Sequence, residues 1–510
     1  MSVLGDPILS TEEAAAFEAR LFKGDDKKEW AAMQHAGHAV MEAVLADFEE
    51  IGGFPPDGTI LVLVGKGHNG GDALLAVHLL LARFPEAQAT VVLVFAEKTL
   101  RTLTLRALHA LMRAMKTRVT FASAQLPGTN YDLCLDGVFG FQFKPPATPA
   151  VVQLAARVES LPIRLRAAVD LPSGGLFRAD FTYATGIVKN PVLGSVTAGR
   201  VRYLDLGFFA DSTALLPPAV LGTGERTPEK EIRSRVLTSG LLAPLAALRP
   251  MQSDKRTYGH VFVVGGSRGY PGAVLMTVLA ALRSGVGLVT AFVPEALVAA
   301  YAARAPEAMW VGWPETPGGA LALEGEHLLR ARIDRATALV IGPGLGREAE
   351  TLTLAASIVK SARVPVLLDA DALQPDIVRT GTPGSLVLTP HEGEFARIAD
   401  EGNLNEFAAA MGATIVLKGP VTRVCSGVSS DTVYHSFFGG PVLARGGSGD
   451  LLAGLIGGLL AQSPADPLTA TCRGVVWHGM AADLLARQHG QTSVNITQLL
   501  DFLPAALRRR

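Results

Sequence analysis

Gly446-Gly447-Ser448-Gly449-Asp450 runs directly into the apolar stretch LLAGLIGGLLAQ. Small residues at a helix start let several backbone N–H groups converge, and the helix dipole there favours an anion. An aspartate in that place is stabilised as a carboxylate and can accept a proton from a hydroxyl beside a bound phosphate. The pentapeptide alone leaves two readings open: that base, or an aspartate that caps a helix after a flexible turn. Five more strand-ending segments of the same half carry residues suited to a ligand. They are GGSRGYPGA (265–273), IGPGLG (341–346), LLDADAL (367–373), LTPHEGE (388–394) and LKGPVT (417–422). In open parallel sheets, ligands bind beyond the carboxyl ends of the strands. The run Gly265-Gly266-Ser267-Arg268-Gly269 departs from G-x-G-x-x-G, which argues against an ordinary dinucleotide fingerprint. His391 either presents its imidazole to a ligand or packs on its own loop. Glu392 and Glu394 complement a helix dipole, and Asp369 and Asp371 read as turn-makers and helix caps.

The other half carries Gly65-Lys66-Gly67-His68-Asn69-Gly70-Gly71-Asp72 between a buried strand and a helix. Its glycines permit close backbone approach to phosphate, although the spacing is not Walker A and a plain tight turn is the rival reading. LDGVFG (135–140) and VDLPSG (169–174) end two further strands. Asp170 there either meets a ligand as an acid/base or caps the turn before Pro172.

These residues need a scaffold. A chain of 510 residues exceeds one core, so two domains are expected. With 49% hydrophobic and 18% charged residues, the composition suits α/β domains with buried parallel strands. A net charge of −1 implies no broad nucleic-acid-binding surface. Three scattered cysteines (Cys134, Cys425, Cys472) fit buried thiols in a reducing cytosol, not a disulfide framework or zinc site. The N-terminus lacks an apolar signal core, and no apolar run approaches the roughly 20 residues that span a bilayer. A cytoplasmic protein with no membrane partner is expected.

In the first half the runs TILVLVG, ATVVLVF, YDLCLDGVFG, RLRAAVDLPSG and RVRYLDLG alternate with helical patterns at 71–83 and 99–116. Two helices, 10–23 and 28–49, come before them, the first opened by a Ser10/Glu13 capping box. This predicts a Rossmann-like three-layer α/β/α domain over residues 1–211. Prolines, glycines and charges then predict a connecting segment over 212–248, with room for a short strand. A second α/β alternation fills 249–510, through HVFVVGG, GLVTAFV, TALVIGPG, VPVLLDADAL, GSLVLTPHEGE, ATIVLKGP and TVYHSFF.

The motifs YGHVFVVGGSRGYPGA, IGPGLG, LDADAL, LTPHEGEF, VLKGP and GGSGDLLAG, spread over about 249–489, resemble the ADP/ATP-dependent NAD(P)H-hydrate dehydratase family. The resemblance implies a ribokinase-like α/β fold for this half. It implies that Ala273, Gly344, His391 and Asp450 contact the hydrated nicotinamide nucleotide, with Asp450 as catalytic base. Lys418, Gly419, Pro420, Val421, Thr422 and Gly449 would hold ADP or ATP, and Mg2+ would accompany it, reached by Glu394 through water. HSFFGGPVLARGG stands where that family has an Asn-x-Thr-Gly-Asn type of stretch.

GKGHNGGD, LDGVFG and VDLPSG resemble the NAD(P)H-hydrate epimerase domain, which precedes the dehydratase in many bacterial fusions. This resemblance implies that His68, Asn69, Gly70, Gly71 and Asp72 line the substrate phosphate site. Gly140, Phe141, Gln142, Phe143, Lys144, Pro145 and Pro146 would form a substrate loop. Asp170 would bind the substrate as acid/base, and Asn69, Asp136 and Ser173 would ligate K+. Three departures stand out. GFQF replaces the family's Gly-Thr-Gly-Leu loop, where Phe141 and Phe143 could narrow or refill the pocket. The segment after PSG is shortened to GLFRADF, and His68 and Ala73 replace Asn and Gly.

Together the resemblances imply a homo-oligomeric repair enzyme acting on NADHX and NADPHX. It would equilibrate the two hydrate epimers and dehydrate the S form using ADP or ATP. The rival is a ribokinase-like small-molecule kinase with a non-catalytic N-terminal binding or dimerisation domain.

Overall fold

The computed structural model describes residues 4–122, 126, 130–140, 143, 145–210, 233–399, 402–428 and 430–508. The chain divides into two compact units, one chiefly Asp6–Glu229 and the other chiefly Lys230–Ala486 with Gln491–Arg510.

The first unit is built on a seven-stranded sheet. Its order is Val119–Phe121, Gln88–Leu93, Thr59–Val64, Tyr131–Gly137, Ile163–Val169, Phe181–Thr185, Arg200–Leu204, and every pairing is parallel. Strand side chains alternate between faces, and the core follows that period. Ile60, Val62 and Val64 pack with Leu133 and Leu135 under the helices Asp26–Phe48, His68–Arg83 and Thr102–Met115. Leu61, Leu63 and Cys134 face the opposite way, towards Leu154 and Val158 of the helix Pro149–Glu159. The expected three layers are present. The helix Thr11–Phe22 opens with the expected capping box: Ser10 Oγ accepts from Glu13 N (3.1 Å) and Glu13 Oε2 from Ser10 N (2.8 Å).

In the second unit the strand order runs Met309–Trp313, Leu288–Pro294, His260–Val264, Ala338–Ile341, Val366–Leu368, Leu386–Leu388, Thr414–Leu417. These pair in parallel. Thr422–Ser426 then turns back antiparallel, Ser430–Ser436 is antiparallel to it, and Arg233–Val236 lies parallel beyond. The helix Ser448–Gln462 is almost wholly buried. Its glycines are contact points: a side chain at Gly454 would strike the Thr277 carbonyl, one at Gly457 would meet Val340, and one at Gly458 would meet Ser284. That close approach, to the helix Pro271–Arg283 and to the sheet, explains a glycine-rich apolar run. Among the described residues, no helix is long and apolar enough to cross a membrane.

Within the expected connection at 212–248 lie a short strand and buried residues of the second unit. Residues 212–232 lie outside the described residues, but Arg233–Val236 is a sheet strand in register with Thr432 to His435. Val236, Leu237 and Leu242 are buried in the second unit. Prolines and charges around this strand break up any continuous apolar run. A C-terminal fragment beginning at Arg233 should therefore be more stable than one beginning at Arg249 by at least about 3 kcal/mol, since burying each large apolar side chain contributes about 1.5–3 kcal/mol. Equal urea midpoints for the two fragments would count against this boundary.

Candidate functional site

Strand ends of the second unit bring the expected residues together around one ammonium group. Lys418 leaves the strand Thr414–Leu417, and its backbone N–H donates to Pro390 O (2.8 Å), tying it to the His391 segment. Its Nζ lies 2.9 Å from Asp369 Oδ1 and 3.7 Å from Glu394 Oε2. A Cβ built on Gly449 would stand 3.3 Å from the same Nζ and 4.0 Å from Asp369 Oδ2. Glycine at 449 thus keeps room beside the ammonium. Burial pushes the Lys418 ammonium down, but Asp369, Glu394 and Asp450 together outweigh it and hold it above the ordinary lysine range.

Asp450 sits in the first turn of the helix Ser448–Gln462, behind Gly447, whose φ is +94°. Burial and the neighbouring Asp369 push its carboxyl up to about 7, against the opposing pull of Lys418. A carboxylate poised near neutrality at a helix start can take a proton at working pH. Asp369 is 2% exposed and accepts from Thr389 Oγ1 (2.8 Å) as well as Lys418. Asp371 turns the other way: its Oδ2 accepts from Gly346 N (3.1 Å) and its Oδ1 from Arg347 Nε (3.0 Å), which fixes the IGPGLG loop. In that loop Gly344 has φ +61°, and a Cβ there would approach Ala273 Cβ to 3.1 Å. Met276, one turn beyond Ala273, packs on Gly447. Ala273, Gly344 and the Gly447 turn are therefore neighbours.

His391 packs on its own loop, the second of the two readings left open by the sequence. Its Nδ1 accepts from Gly393 N (3.0 Å) and Glu394 N (3.3 Å), capping the helix Glu392–Ile398, while Glu394 Oε2 accepts from His391 N (2.9 Å). With Nδ1 accepting, the neutral ring carries its proton on Nε2. The side chain is 60% exposed, and its Nε2 lies 3.5 Å from Glu394 Oε1. Gly419 and Pro420 are exposed at the hairpin turn, and Val421 and Thr422 lead into the returning strand. The departing HSFFGGPVLARGG segment works as a support. Val442 is buried, Ser448 Oγ donates to Leu443 O (2.7 Å), and Arg445 donates to the carbonyls of Gln491, Thr492 and Val494.

In the first unit, Glu18, His68, Asn69, Asp72, Asp170 and Lys189 line one cavity, whose apolar wall includes Phe22 and Phe208. Asp170 is 2% exposed with a left-handed backbone (φ +69°), an unusual conformation for a residue with a side chain. Its Oδ1 accepts from Lys189 Nζ (2.6 Å), while Oδ2 is buried without a hydrogen-bond partner. The carboxylate thus goes to Lys189 and not to the Pro172 turn. Sequence reasoning missed Lys189, although a lone charge inside the apolar run ATGIVKNPVL was a usable signal. Asp72 is buried too. Burial, then Asp170 and Glu18, push its carboxyl well above the usual range against Lys189. Burial, reinforced by Arg101, lowers His68 against the pull of Glu29.

Three strand ends meet beside this cavity. Asn69 Nδ2 donates to Val169 O (2.9 Å) and Phe139 O (3.3 Å). Asp136 accepts from Val138 N, Ser173 N and Ser173 Oγ, at 3.1, 2.8 and 2.6 Å. Burial raises its carboxyl to about 6, although these hydrogen bonds pull it down. Within the loop 65–72, Gly70 and Gly71 do not line the cavity. A side chain at Gly70 would strike Gly65 O, and one at Gly71 would strike Met33. Both positions are closely packed and admit no side chain.

A correction concerns the loop 140–146, of which Phe141, Gln142 and Lys144 lie outside the described residues. Gly140 abuts the Asn69 carboxamide, so no side chain fits there. Phe143 does not enter the cavity. It stacks on Phe139 at 4.1 Å, above Gly174, whose missing side chain leaves room for the ring. Pro145 and Pro146 are exposed.

The family described as NAD(P)H-hydrate dehydratase matches residues 261–505, and the one described as YjeF-related protein N-terminus matches 30–190. The bifunctional NAD(P)H-hydrate repair enzyme Nnr of Gloeobacter violaceus is 35% identical over 98% of this chain and 97% of its own. That of Moorella thermoacetica is 33% identical over 93% and 92%. Among solved structures, the ADP/ATP-dependent NAD(P)H-hydrate dehydratase of Bacillus subtilis, co-crystallised with ATP/Mg2+, is 30% identical. It covers 53% of this chain and 96% of that one, with a TM-score of 0.45.

Replacing the central cation tests the second cluster. Lys418→Met leaves Asp369, Glu394 and Asp450 facing one another, so the Asp450 carboxyl should titrate further above 7 and the unit should lose about 3 kcal/mol. Carboxyl titration by NMR and thermal melting measure the two effects. An Asp450 that titrates lower in the variant would show that Lys418 does not govern it.

Proposed function

The chain belongs to the family of bifunctional NAD(P)H-hydrate repair enzymes, and from that premise we propose which of its residues carry each reaction. It epimerises the two forms of hydrated NAD(P)H and dehydrates the S form back to NAD(P)H. The small-molecule kinase reading is not favoured, because relatives matched over nearly the whole chain carry the bifunctional description.

The observation that carries the dehydratase assignment is Asp450, a carboxyl raised to about 7 at a glycine-cradled helix start beside Lys418. Asp450 takes the proton of the ring hydroxyl, whose oxygen attacks the terminal phosphorus of ADP or ATP. The phosphorylated oxygen then leaves C6 with the C–O electron pair. Loss of a proton from C5 restores the double bond. Lys418, Gly449 and the converging N–H groups of the helix start balance the developing phosphate charge. Ala273, Gly344 and the exposed His391 side chain hold the hydrated nucleotide, while the hairpin 419–422 borders the adenine nucleotide.

Among the described residues, no group of three His, Cys, Asp or Glu could hold a metal ion. Asp369 and Glu394, the nearest candidates, are engaged by Lys418. Magnesium therefore fits as an ion brought by the nucleotide's phosphates, neutralising them, and not as one in a protein cage.

In the first unit Asp170 is the acid/base group, oriented by Lys189, with His68, Asn69 and Asp72 in the same cavity. Asn69, Asp136 and Ser173 offer hard oxygens where three strand ends meet, a donor set that fits K+. A cation there would ionise the raised Asp136 carboxyl and help to hold the substrate phosphate. Three buried free thiols suit a reducing compartment such as the cytoplasm.

Two experiments test this division. With S epimer, magnesium and ADP or ATP, recovery of reduced-nicotinamide absorbance should rise as pH climbs through about 7, where Asp450 ionises. Asp450→Asn should keep nucleotide binding and lower turnover about 10²–10⁴-fold; near-normal turnover would remove Asp450 from its role. With mixed epimers, the full chain should consume both, whereas Asp170→Ala should slow once the S form is gone. Equal R-epimer consumption by the variant and the wild type would make the first unit a binding module.

A further inference from the structure

The cavity of the first unit holds more acid than a single acid/base group requires. Glu18 reaches it from the helix Thr11–Phe22, which lies outside every motif of the strand ends. Asp72 and Asp170 line the same cavity with one ammonium, Lys189, whose closest contact is Asp170 Oδ1 at 2.6 Å. Glu18 has no hydrogen-bond partner among the described residues. Asp170 Oδ2 is buried and unpartnered in the same cavity. Two carboxyl groups on different elements therefore line one cavity, and the buried oxygen of one of them, Asp170 Oδ2, is satisfied by nothing among the described residues. Buried polar atoms are nearly always paired, so an orphan in a cavity points to a missing ligand.

We propose that Glu18 is a second acid/base group of the epimerase site and works with Asp170 on opposite faces of the hydrated ring; this rests on the epimerase reading above. In this route C6 is inverted by breaking its bond to oxygen on one face and re-forming it on the other. One carboxyl cannot protonate the departing hydroxyl and also deprotonate water arriving from the far side. Two can. Glu18 gives its proton to the C6 hydroxyl, and the C–O electron pair leaves with that oxygen as water. The N1 lone pair closes the C6=N1 iminium. A water molecule adds to the other face of C6 and passes its proton to Asp170, so one proton is given and one is received. The reverse direction exchanges the two roles.

The charges around the site support this assignment of proton donor and acceptor. Burial raises the Glu18 carboxyl to about 7, Lys189 pulls against it, and Asp170 and Glu29 add to the rise. His68 and the buried Asp72 also line the cavity. Glu18 thus keeps its proton below neutrality, while Asp170 Oδ1 meets the Lys189 ammonium at 2.6 Å. The group is acidic in the folded protein and loses that function as pH rises through about 7.

The test uses the full chain and the R epimer in water enriched in 18O. Wild type should place one 18O on C6 for each inversion, and its inversion rate should fall above about pH 7. Glu18→Gln should lower the kcat of inversion about 10²-fold with KM within about 3-fold, and should abolish that alkaline fall. Glu18→Asp should recover part of the rate. Inversion without 18O uptake, or a Glu18→Gln kcat equal to wild type, would overturn the proposal. Equal losses in both variants with a lowered melting temperature would also overturn it, by showing a purely structural role. The parent reading fails separately: a wild type no faster than Asp170→Ala and buffer alone would remove the epimerase, and Glu18's part in it.

Discussion

A single ammonium group organises the second unit's chemistry. Lys418 draws Asp369, from the end of one strand, and Glu394, from the start of a helix, onto one point. Asp450 lies within the same field. Desolvating charge is costly, and a buried pair is secure only when its remaining hydrogen-bonding capacity is filled. Thr389 does this for Asp369, and the His391 N–H does it for Glu394. Asp450 is raised to about 7 by burial and by Asp369, and for that reason it can change its protonation. The parallel sheet makes this possible, because it delivers one loop per strand to the same edge.

The first unit solves a related problem with less redundancy. Asp170 is held in a left-handed backbone conformation at a strand end and tied to a buried lysine. Three neighbouring carboxyls, Glu18, Asp72 and Asp136, are all raised by burial. The site therefore stores acid in neutral form, a state that suits proton exchange better than strong ion pairing does. The two halves tune carboxyl groups by the same means, desolvation against one nearby cation, although they share no motif.

Much of this was legible in the sequence because glycine-rich loops and strand ends are local features. LTPHEGE and GKGHNGGD could each be assigned to a strand–turn–helix junction from their own residues, and GGSGD to a helix start. The pairing of Lys189 with Asp170 and the arrival of Glu18 depend on tertiary contacts between distant segments, which no local pattern encodes. The edge strand Met309–Trp313 was lost for a different reason: it is mostly half-exposed and lacks the continuous apolar run of a buried strand. Phe143 misled in the opposite direction: the pattern showed a bulky residue near a pocket, and only the stacked Phe139 ring and the bare Gly174 show where it goes.

The helix Ser448–Gln462 carries Asp450 in its first turn and three glycines that admit no side chain along its length. The same fifteen residues thus answer to two selections, one for proton transfer and one for close packing. A substitution at Gly454, Gly457 or Gly458 would push the helix away from its neighbours and carry the carboxyl with it. Drift in the interior of this unit is therefore felt as a change in activity before it is felt as unfolding. Adaptation of the enzyme to new temperatures or ligands is correspondingly channelled to the loops around the helix, and the helix itself has little freedom to vary.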